Sequence, residues 1–319
     1  MSYLTTVIPV YNGERFLEAT LESVASQTRR PDRVIIQDNC STDGTHRIAK
    51  AFEKEGFEWR LCEAHVPAID NFNDALDFAT ETEVLHLLTA NDLIKPDFYE
   101  RLLAPLEALE GRGLIYSAYE VIGEDGALVK GGDLMCPFSI VPGGAPVIIP
   151  QKEFMAAQAD LRTICLPAVL MKTNRAPLPV KFHTNFIQCA DAVFYAELAA
   201  SCEAIIEVPS ALCEYRRHEH STTSRNRRVP GAVIADEWRA MVTSSALLEK
   251  TGLGAWLWNF RQRCLLAARS RVKLGQSAEE TPSYRREIEQ ATHAITGPWA
   301  AVLGNLAVDL RDVFRRDRS

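Results

Sequence analysis

Apolar residues in the first third of the chain recur with two alternating periods. Tyr3–Val10 is a β-branched, apolar run that stops at Asn12-Gly13, and Phe16, Leu17, Thr20, Leu21 and Val24 follow at helical spacing. Val34-Ile35-Ile36 forms a second short run within Arg33–Gln37, ended by Asp38-Asn39-Cys40-Ser41. Thr42-Asp43-Gly44 reads as a helix entry capped by Asp43, with Ile48, Ala49 and Phe52 as the next apolar face. A weaker strand (Glu58–Cys62) comes next, then a helix marked by Ile69, Phe72, Leu76 and Ala79, and a buried strand (Val84–Leu88). Pro96 opens a further helix bearing Phe98, Leu102, Leu103 and Leu106. Strand–helix repetition predicts an α/β fold, with crossover connections and a mainly parallel central sheet flanked by helices. In such sheets ligands bind beyond the carboxyl ends of the strands. That rule singles out three polar loops: Pro9–Glu14, Asp38–Thr45 and Thr89–Pro96.

The pattern changes at Gly123–Pro150, where six glycines and four prolines predict a long adaptable loop, either a substrate lid or a surface excursion. A helix over Gln151–Gln158, a strand region near Ile164–Met171 and a helix over Asp191–Ala200 follow. Ala204–Val208 and Leu212–Tyr215 read as two extended segments. From Gly231 the periodicity is helical. The last helix is predicted to begin at Pro298, with Trp299, Val302, Leu303, Leu306, Leu310, Val313 and Phe314 on one face and Arg311, Arg315, Arg316 and Arg318 near its end. Such a helix packs on the body of the protein or lies on a membrane surface.

Composition narrows the function classes. A chain of 319 residues with 47% hydrophobic and 24% charged residues can bury a sizeable core without staples. The formal charge of −7 argues against nucleic acid as a partner. Eight cysteines without a C-x-x-C pair read as buried thiols of a cytoplasmic protein. No signal peptide is evident, and Ala291–Val308 is broken by Gly297, Pro298, Gly304 and Asn305, too polar to span a bilayer. Neither G-x-G-x-x-G after the first strand nor G-x-x-x-x-G-K-[ST] is present, which disfavours a dinucleotide dehydrogenase and excludes an ordinary P-loop enzyme; H-E-x-x-H and G-x-S-x-G are also absent. Asp38 and Asp92 each follow an apolar strand, where a carboxylate can hold a ligand hydroxyl or N–H, cap a turn, or ligate a hard cation.

Five segments in order carry a resemblance. Val7-Ile8-Pro9-Val10-Tyr11-Asn12-Gly13 with Leu21–Thr28, Asp38–Thr45, and Asn71-Phe72-Asn73-Asp74-Ala75-Leu76 with Thr89-Ala90-Asn91-Asp92 and Pro96-Asp97 resemble the first three blocks of the family 2 glycosyltransferases. Cys189-Ala190-Asp191 and Leu212–His218 resemble its later blocks. The resemblance implies a GT-A (Rossmann-like) domain over residues 1–225, its nucleotide-binding half at 1–110 and acceptor half at 111–225, with a helical extension over 226–319. It also implies an inverting transfer from a nucleotide sugar, a UDP-sugar first, to a saccharide or lipid-linked acceptor, with Mg²⁺ or Mn²⁺. By position, Pro9, Val10, Tyr11 and Asn12 would surround the nucleoside and Asp38 would meet the base, while Asn73, Thr89, Ala90, Asn91 and Asp92 would complete the donor site. Asn91, Asp92 and His218 would face the metal or diphosphate, and Asp191 would be the general base. Two departures stand out: Asn91 occupies the usual metal-aspartate position, and Ala190 stands where many members carry an acid. Arg216, Arg217, Arg225, Arg227 and Arg228 could supply part of the positive charge that stabilises the leaving group, or form a solvated basic loop. The alternative is a degenerate member that binds a nucleotide sugar or glycan without transfer. A nucleotidyltransferase is disfavoured by the first loop, which lacks that class's Gly-rich, Arg-containing sequence. The C-terminal helices would serve a homodimer or a peripheral contact with the inner face of a membrane.

Overall fold

β1 (Ser2–Val10) is hydrogen-bonded on both edges, to β2 (Arg33–Asp38) and β4 (Thr82–Leu87), both parallel to it. A strand enclosed this way must be apolar on both faces, and Leu4, Val7, Ile8 and Val10 are at most 3% exposed. β3 (Glu58–Leu61) adds to β2 in parallel and forms the edge. The computed structural model describes residues 2–129, 138, 143–219, 221–226, 228–276 and 282–316. The middle of the Gly123–Pro150 segment, Cys136, Arg227 and Arg318 lie outside the described residues.

The sheet order is β3-β2-β1-β4-β8-β6-β9-β5. The run β3-β2-β1-β4 is parallel throughout. β8 (Val169–Lys172) is antiparallel to both β4 and β6 (Gly113–Ile122), so beyond β4 the sheet is mixed. β6 runs parallel to β9 (Ala204–Arg216), which also pairs antiparallel with β5 (Leu93–Ile94) and β7 (Val147–Ile148). The two extended segments expected around 204–215 are thus one strand with a register shift opposite Ser117–Tyr119. Such a bulge bends the strand without ending it, and β9 runs on to Arg216.

Helices α1 (Leu17–Ala25), α2 (Thr45–Ala51), α3 (Ala68–Leu76) and α4 (Phe98–Glu107) connect the parallel strands and lead on to β6. α1 buries Leu17, Thr20, Leu21 and Val24, the i, i+3, i+4, i+7 stripe read from the sequence. α5 (Gln151–Ala159) and α6 (Ala190–Ala199) follow in the second half. Between β1, β4 and α4 a polar chain is fully buried: Tyr99 Oη lies 2.7 Å from Thr6 Oγ1 and 2.9 Å from His86 Nδ1, and His86 Nε2 lies 2.9 Å from the Pro167 carbonyl. Burial pushes the His86 pKa down to about 4, so the ring is neutral and structural.

The chain divides into two compact units. The first comprises Met1–Phe154, Thr163–Thr184 and Phe194–His218 and contains the whole sheet. The second comprises Met155–Arg162, Asn185–Val193 and Glu219–Ser319. Its helices are α7 (Thr222–Asn226), α8 (Pro230–Ala246), α9 (Gly252–Gln276) and α10 (Pro282–Arg316). Within Pro282–Arg316 the backbone leaves the helical region at Gly297, where φ is 72° and ψ 172°, so two helices meet there and the last one begins at Pro298, as the sequence predicts. Among the described residues no helix is long and apolar enough to cross a membrane. None of the seven described cysteines forms a disulfide; three are buried and four are partly exposed.

Candidate active site

The first two loops at the carboxyl ends of the strands are joined by hydrogen bonds. Asn12, at φ 51°, accepts the Thr42 N–H on Oδ1 and donates its own N–H to Ser41 Oγ. The Gly13 N–H reaches Thr45 Oγ1 at 2.8 Å, and a Cβ at Gly13 would come within 2.5 Å of the Val10 side chain, so this close approach needs glycine. Asp43 accepts the Glu14 and Thr45 N–H groups. Against the upward push of partial burial, these bonds hold the Asp43 carboxyl below its ordinary range.

Tyr11 is about half exposed, and its ring lies 4.3 Å from that of His65 at an interplanar angle of 36°. His65 is held in turn by the Asn39 loop: its Nδ1 meets the Asn39 carbonyl at 3.1 Å, while the Asn39 amide pairs with the Val66 backbone in both directions. The two rings form an aromatic wall beside the joined loops. His65 belongs to no motif, and nothing in the sequence pattern marked it.

Several residues expected at a ligand are turned to other work. Asp38 is fully buried: its Oδ1 accepts the Ser41 N–H at 2.9 Å and its Oδ2 the Trp59 indole N–H at 3.3 Å. Asn73 is clamped at both ends of its amide to the Phe182 backbone, at 2.9 and 2.7 Å. Pro9 and Val10 are buried in β1 and support the loop above them. Thr89, Ala90 and Asn91 keep part of their surface open. Asp92 does not: it is 1% exposed, takes the Arg216 N–H on Oδ1 at 2.6 Å and accepts the Thr89 hydroxyl on Oδ2. It ties the third loop to the end of β9.

This geometry answers the metal question for the residues present. Both Asp92 oxygens are committed, Thr89 donates to Asp92, and Asn91 is a neutral amide whose Nδ2 faces the Arg216 carbonyl at 3.4 Å. His218 sits ring to ring with Phe16 at 5.0 Å. Among the described residues no group of three His, Cys, Asp or Glu side chains could hold a metal ion. A hard divalent cation asks for anionic oxygens that are free to bind, so the expected set of Asn91, Asp92 and His218 does not fit one.

Burial raises the Asp92 carboxyl from 3.8 to about 7, outweighing its hydrogen bonds from Thr89 and the Arg216 N–H and the pull of the Arg216 charge. Between those values the folded protein keeps a proton that the unfolded chain has lost, so this contribution to stability is complete below pH 4 and declines as the pH rises to 7. Asp92→Asn preserves the shape and removes the titration. The stability of Asp92→Asn relative to wild type should therefore rise by roughly 2–3 kcal/mol between pH 5 and pH 8 in urea titrations.

Asp191 lies in the first turn of α6 and belongs to the second unit. Its Oδ1 accepts the Ala192 N–H at 2.8 Å. Burial, reinforced by the charge of Asp236, raises its pKa from 3.8 to about 6. Asp236, on α8 and fully buried, accepts the backbone N–H groups of Ile187, Gln188 and Cys189 at 3.0–3.1 Å and so fixes the entry to α6. A cavity of about 620 Å³ opens elsewhere in the first unit, beside β3, lined by Gln37, Arg60, Cys62, Asp74 and Phe78 among others; it includes none of the expected site residues.

The open sheet, with its joined loops beyond the carboxyl ends of β1 and β2, has the architecture of a GT-A glycosyltransferase. Residues 5–146 match the model of glycosyl transferase family 2. A putative teichuronic acid biosynthesis glycosyltransferase of Bacillus subtilis (strain 168), TuaG, is 31% identical over 127 residues, which cover 39% of this chain. The chain spans about half the length of that curated relative, 49%. S. aureus TarS 1-349, solved in complex with UDP-GlcNAc, superposes with a TM-score of 0.57 at 14% identity, covering 92% of this chain and 90% of that one. The mannosyltransferase PcManGT from Pyrobaculum calidifontis, solved with GDP-Man and Mn²⁺, gives 0.55 at 14% identity, covering 98% and 88%. At that identity the two structures speak for the fold.

Proposed function

We propose that this protein is an inverting glycosyltransferase that moves a sugar from a nucleotide-sugar donor to an acceptor hydroxyl in glycan or glycoconjugate synthesis. The observation that carries the reading is the joining of the Pro9–Glu14 and Asp38–Thr45 loops beside the Tyr11–His65 wall, at the position where open α/β sheets bind ligands. The aromatic wall suits a nucleobase, and Asp38 and Asn39 act from below by holding the loops. Asp191 would take the proton of the acceptor hydroxyl as its oxygen attacks the anomeric carbon, and a pKa of about 6 keeps it largely ionised at neutral pH while leaving it basic enough for the task. One base and one displacement give inversion.

The relatives' names support polysaccharide synthesis and a UDP- or GDP-linked donor. A thermal-shift screen of UDP- and GDP-sugars, followed by a transfer and hydrolysis assay on those that bind, tests the reading. The expected result is one donor that raises the melting temperature by mass action and is then consumed. Asn91 favours a second reading, binding without transfer, which a donor that is bound but neither hydrolysed nor transferred would establish.

The second unit supports a peripheral membrane contact. Leu253, Trp256 and Leu257 on α9 are 72%, 61% and 52% exposed, and Trp299, Val302 and Leu303 on α10 also stand out. α9 carries five Arg or Lys and no acid, a composition that suits an anionic surface. Trp256→Ala with Trp299→Ala should lower binding to phosphatidylglycerol vesicles by roughly tenfold in a sedimentation assay; a protein that ignores such vesicles leaves homodimerisation as the use of these faces.

A further inference from the structure

The third loop rests on a buried positive charge whose hydrogen bonds all go to neutral groups and which the Asp92 carboxyl, itself pushed toward its neutral form by burial, offsets only through space. Arg216, at the end of β9, is 5% exposed. Its guanidinium donates from Nε to the Asn91 carbonyl at 2.9 Å and from Nη1 to the carbonyls of Gly123 and Glu124 at 3.0 and 3.2 Å, and it lies 5.0 Å above the Phe16 ring. Every one of these partners is neutral. Asp92, the acid nearest in the loop, spends its oxygens on the Arg216 backbone N–H and on Thr89 and makes no ion pair with the guanidinium. Among the described residues no carboxylate forms an ion pair with that guanidinium, and its Nη2 is not closed off, so it is left open to a ligand. A charge removed from water and left without a counter-ion is costly, and a fold that keeps one in a loop beside a ligand site has a use for an anion there.

The same loop lacks the acids that would hold a divalent cation, as shown above. Positive charge is present, but it is covalent. We propose that Arg216 binds the diphosphate of the donor and takes the part that a divalent cation plays in metal-dependent transferases. A planar guanidinium matches phosphate oxygens geometrically and stays charged at any working pH. In the displacement, the acceptor oxygen forms a bond to the anomeric carbon as the bond from that carbon to the β-phosphate oxygen breaks. The electron pair stays on that oxygen, the acceptor proton passes to the general base, and the Arg216 guanidinium holds the charge that develops on the leaving diphosphate. No metal ion enters the balance. This inference rests on the nucleotide-sugar reading above, and the test separates the two.

Titration calorimetry with UDP and GDP, each against UMP and GMP, is run with EDTA and again with Mn²⁺, on wild type, Arg216→Gln and Arg216→Lys. The expected result is a nucleoside diphosphate whose affinity changes by less than about threefold between EDTA and Mn²⁺, and which loses roughly 10–100-fold in Arg216→Gln while the monophosphate changes far less. Arg216→Lys, which keeps the charge but not the fork, should fall between the two. Binding that disappears in EDTA and returns with Mn²⁺ overturns the proposal while sparing the nucleotide-sugar reading, as does an Arg216→Gln protein that binds the diphosphate like wild type. Should Arg216→Gln fail to fold, the wild-type EDTA comparison decides alone. No binding of either diphosphate under any condition overturns both readings.

Discussion

Asp191→Asn should abolish transfer by roughly three orders of magnitude while leaving donor affinity within about threefold of wild type, since removing a general base costs about 10²–10⁴ in rate. The amide is nearly isosteric and can still accept the Ala192 N–H through its oxygen, so the entry to α6 is preserved and the loss is chemical. Wild type supplies a second signature. Burial, opposed by backbone N–H groups and helped by a smaller push from the Asp236 charge, places the Asp191 pKa at about 6, so kcat/KM should fall tenfold per pH unit below 6 and level off above it. Removing the Asp236 charge should move that limb to lower pH. A base elsewhere in the protein would leave Asp191→Asn active and the limb unmoved.

The largest stability effect is expected at Asp236. This carboxylate is fully buried on α8 and is the acceptor for three consecutive backbone N–H groups, at Ile187, Gln188 and Cys189. Alanine leaves those donors without a partner, at about 1–3 kcal/mol for each one that stays buried. Asp236→Ala should therefore lose roughly 3–5 kcal/mol in urea unfolding, with amide exchange at 187–189 accelerating first. The Arg261–Asp160 pair in the same unit is bidentate at 2.6 Å and reinforced by Gln262. Arg261 is half open to water, however, which screens the pair, so breaking it from the arginine side should cost less.

The parallel half of the fold was legible because period-2 and period-3.6 patterns are local. Tyr3–Val10, Arg33–Gln37, and the stripes of α1 and α4 all read correctly from the spacing of their apolar residues. β6 was not legible: Gly113–Ile122 mixes Tyr116, Ser117 and Glu120 into its apolar run, and its place between β8 and β9 is set by partners about 55 and 90 residues away. The same distance hid the antiparallel turn of the sheet at β8. At the site, the loops could be found from strand ends, but the direction of each polar side chain could not. Asp38 turns toward Trp59, Asn73 toward Phe182 and Asp92 toward Arg216, each satisfied by a group 21 to 124 residues away in sequence. His65 and Asp236 act through backbone partners that no spacing rule predicts. Asn91, a neutral residue in an acidic block, was legible as a departure from the family pattern, but its amide contact with the Arg216 carbonyl, 125 residues away, was not.

The central proposal is a donor site beside Tyr11. Calorimetry of the wild-type protein and Tyr11→Ala against the UDP- and GDP-sugars that pass the thermal screen tests it most directly. A half-exposed aromatic that stacks on a base is worth about 1–3 kcal/mol, so the predicted result is micromolar binding that weakens roughly 10–100-fold in the variant. Equal affinity for wild type and Tyr11→Ala, or loss of binding only when the cavity beside β3 is blocked, would contradict it.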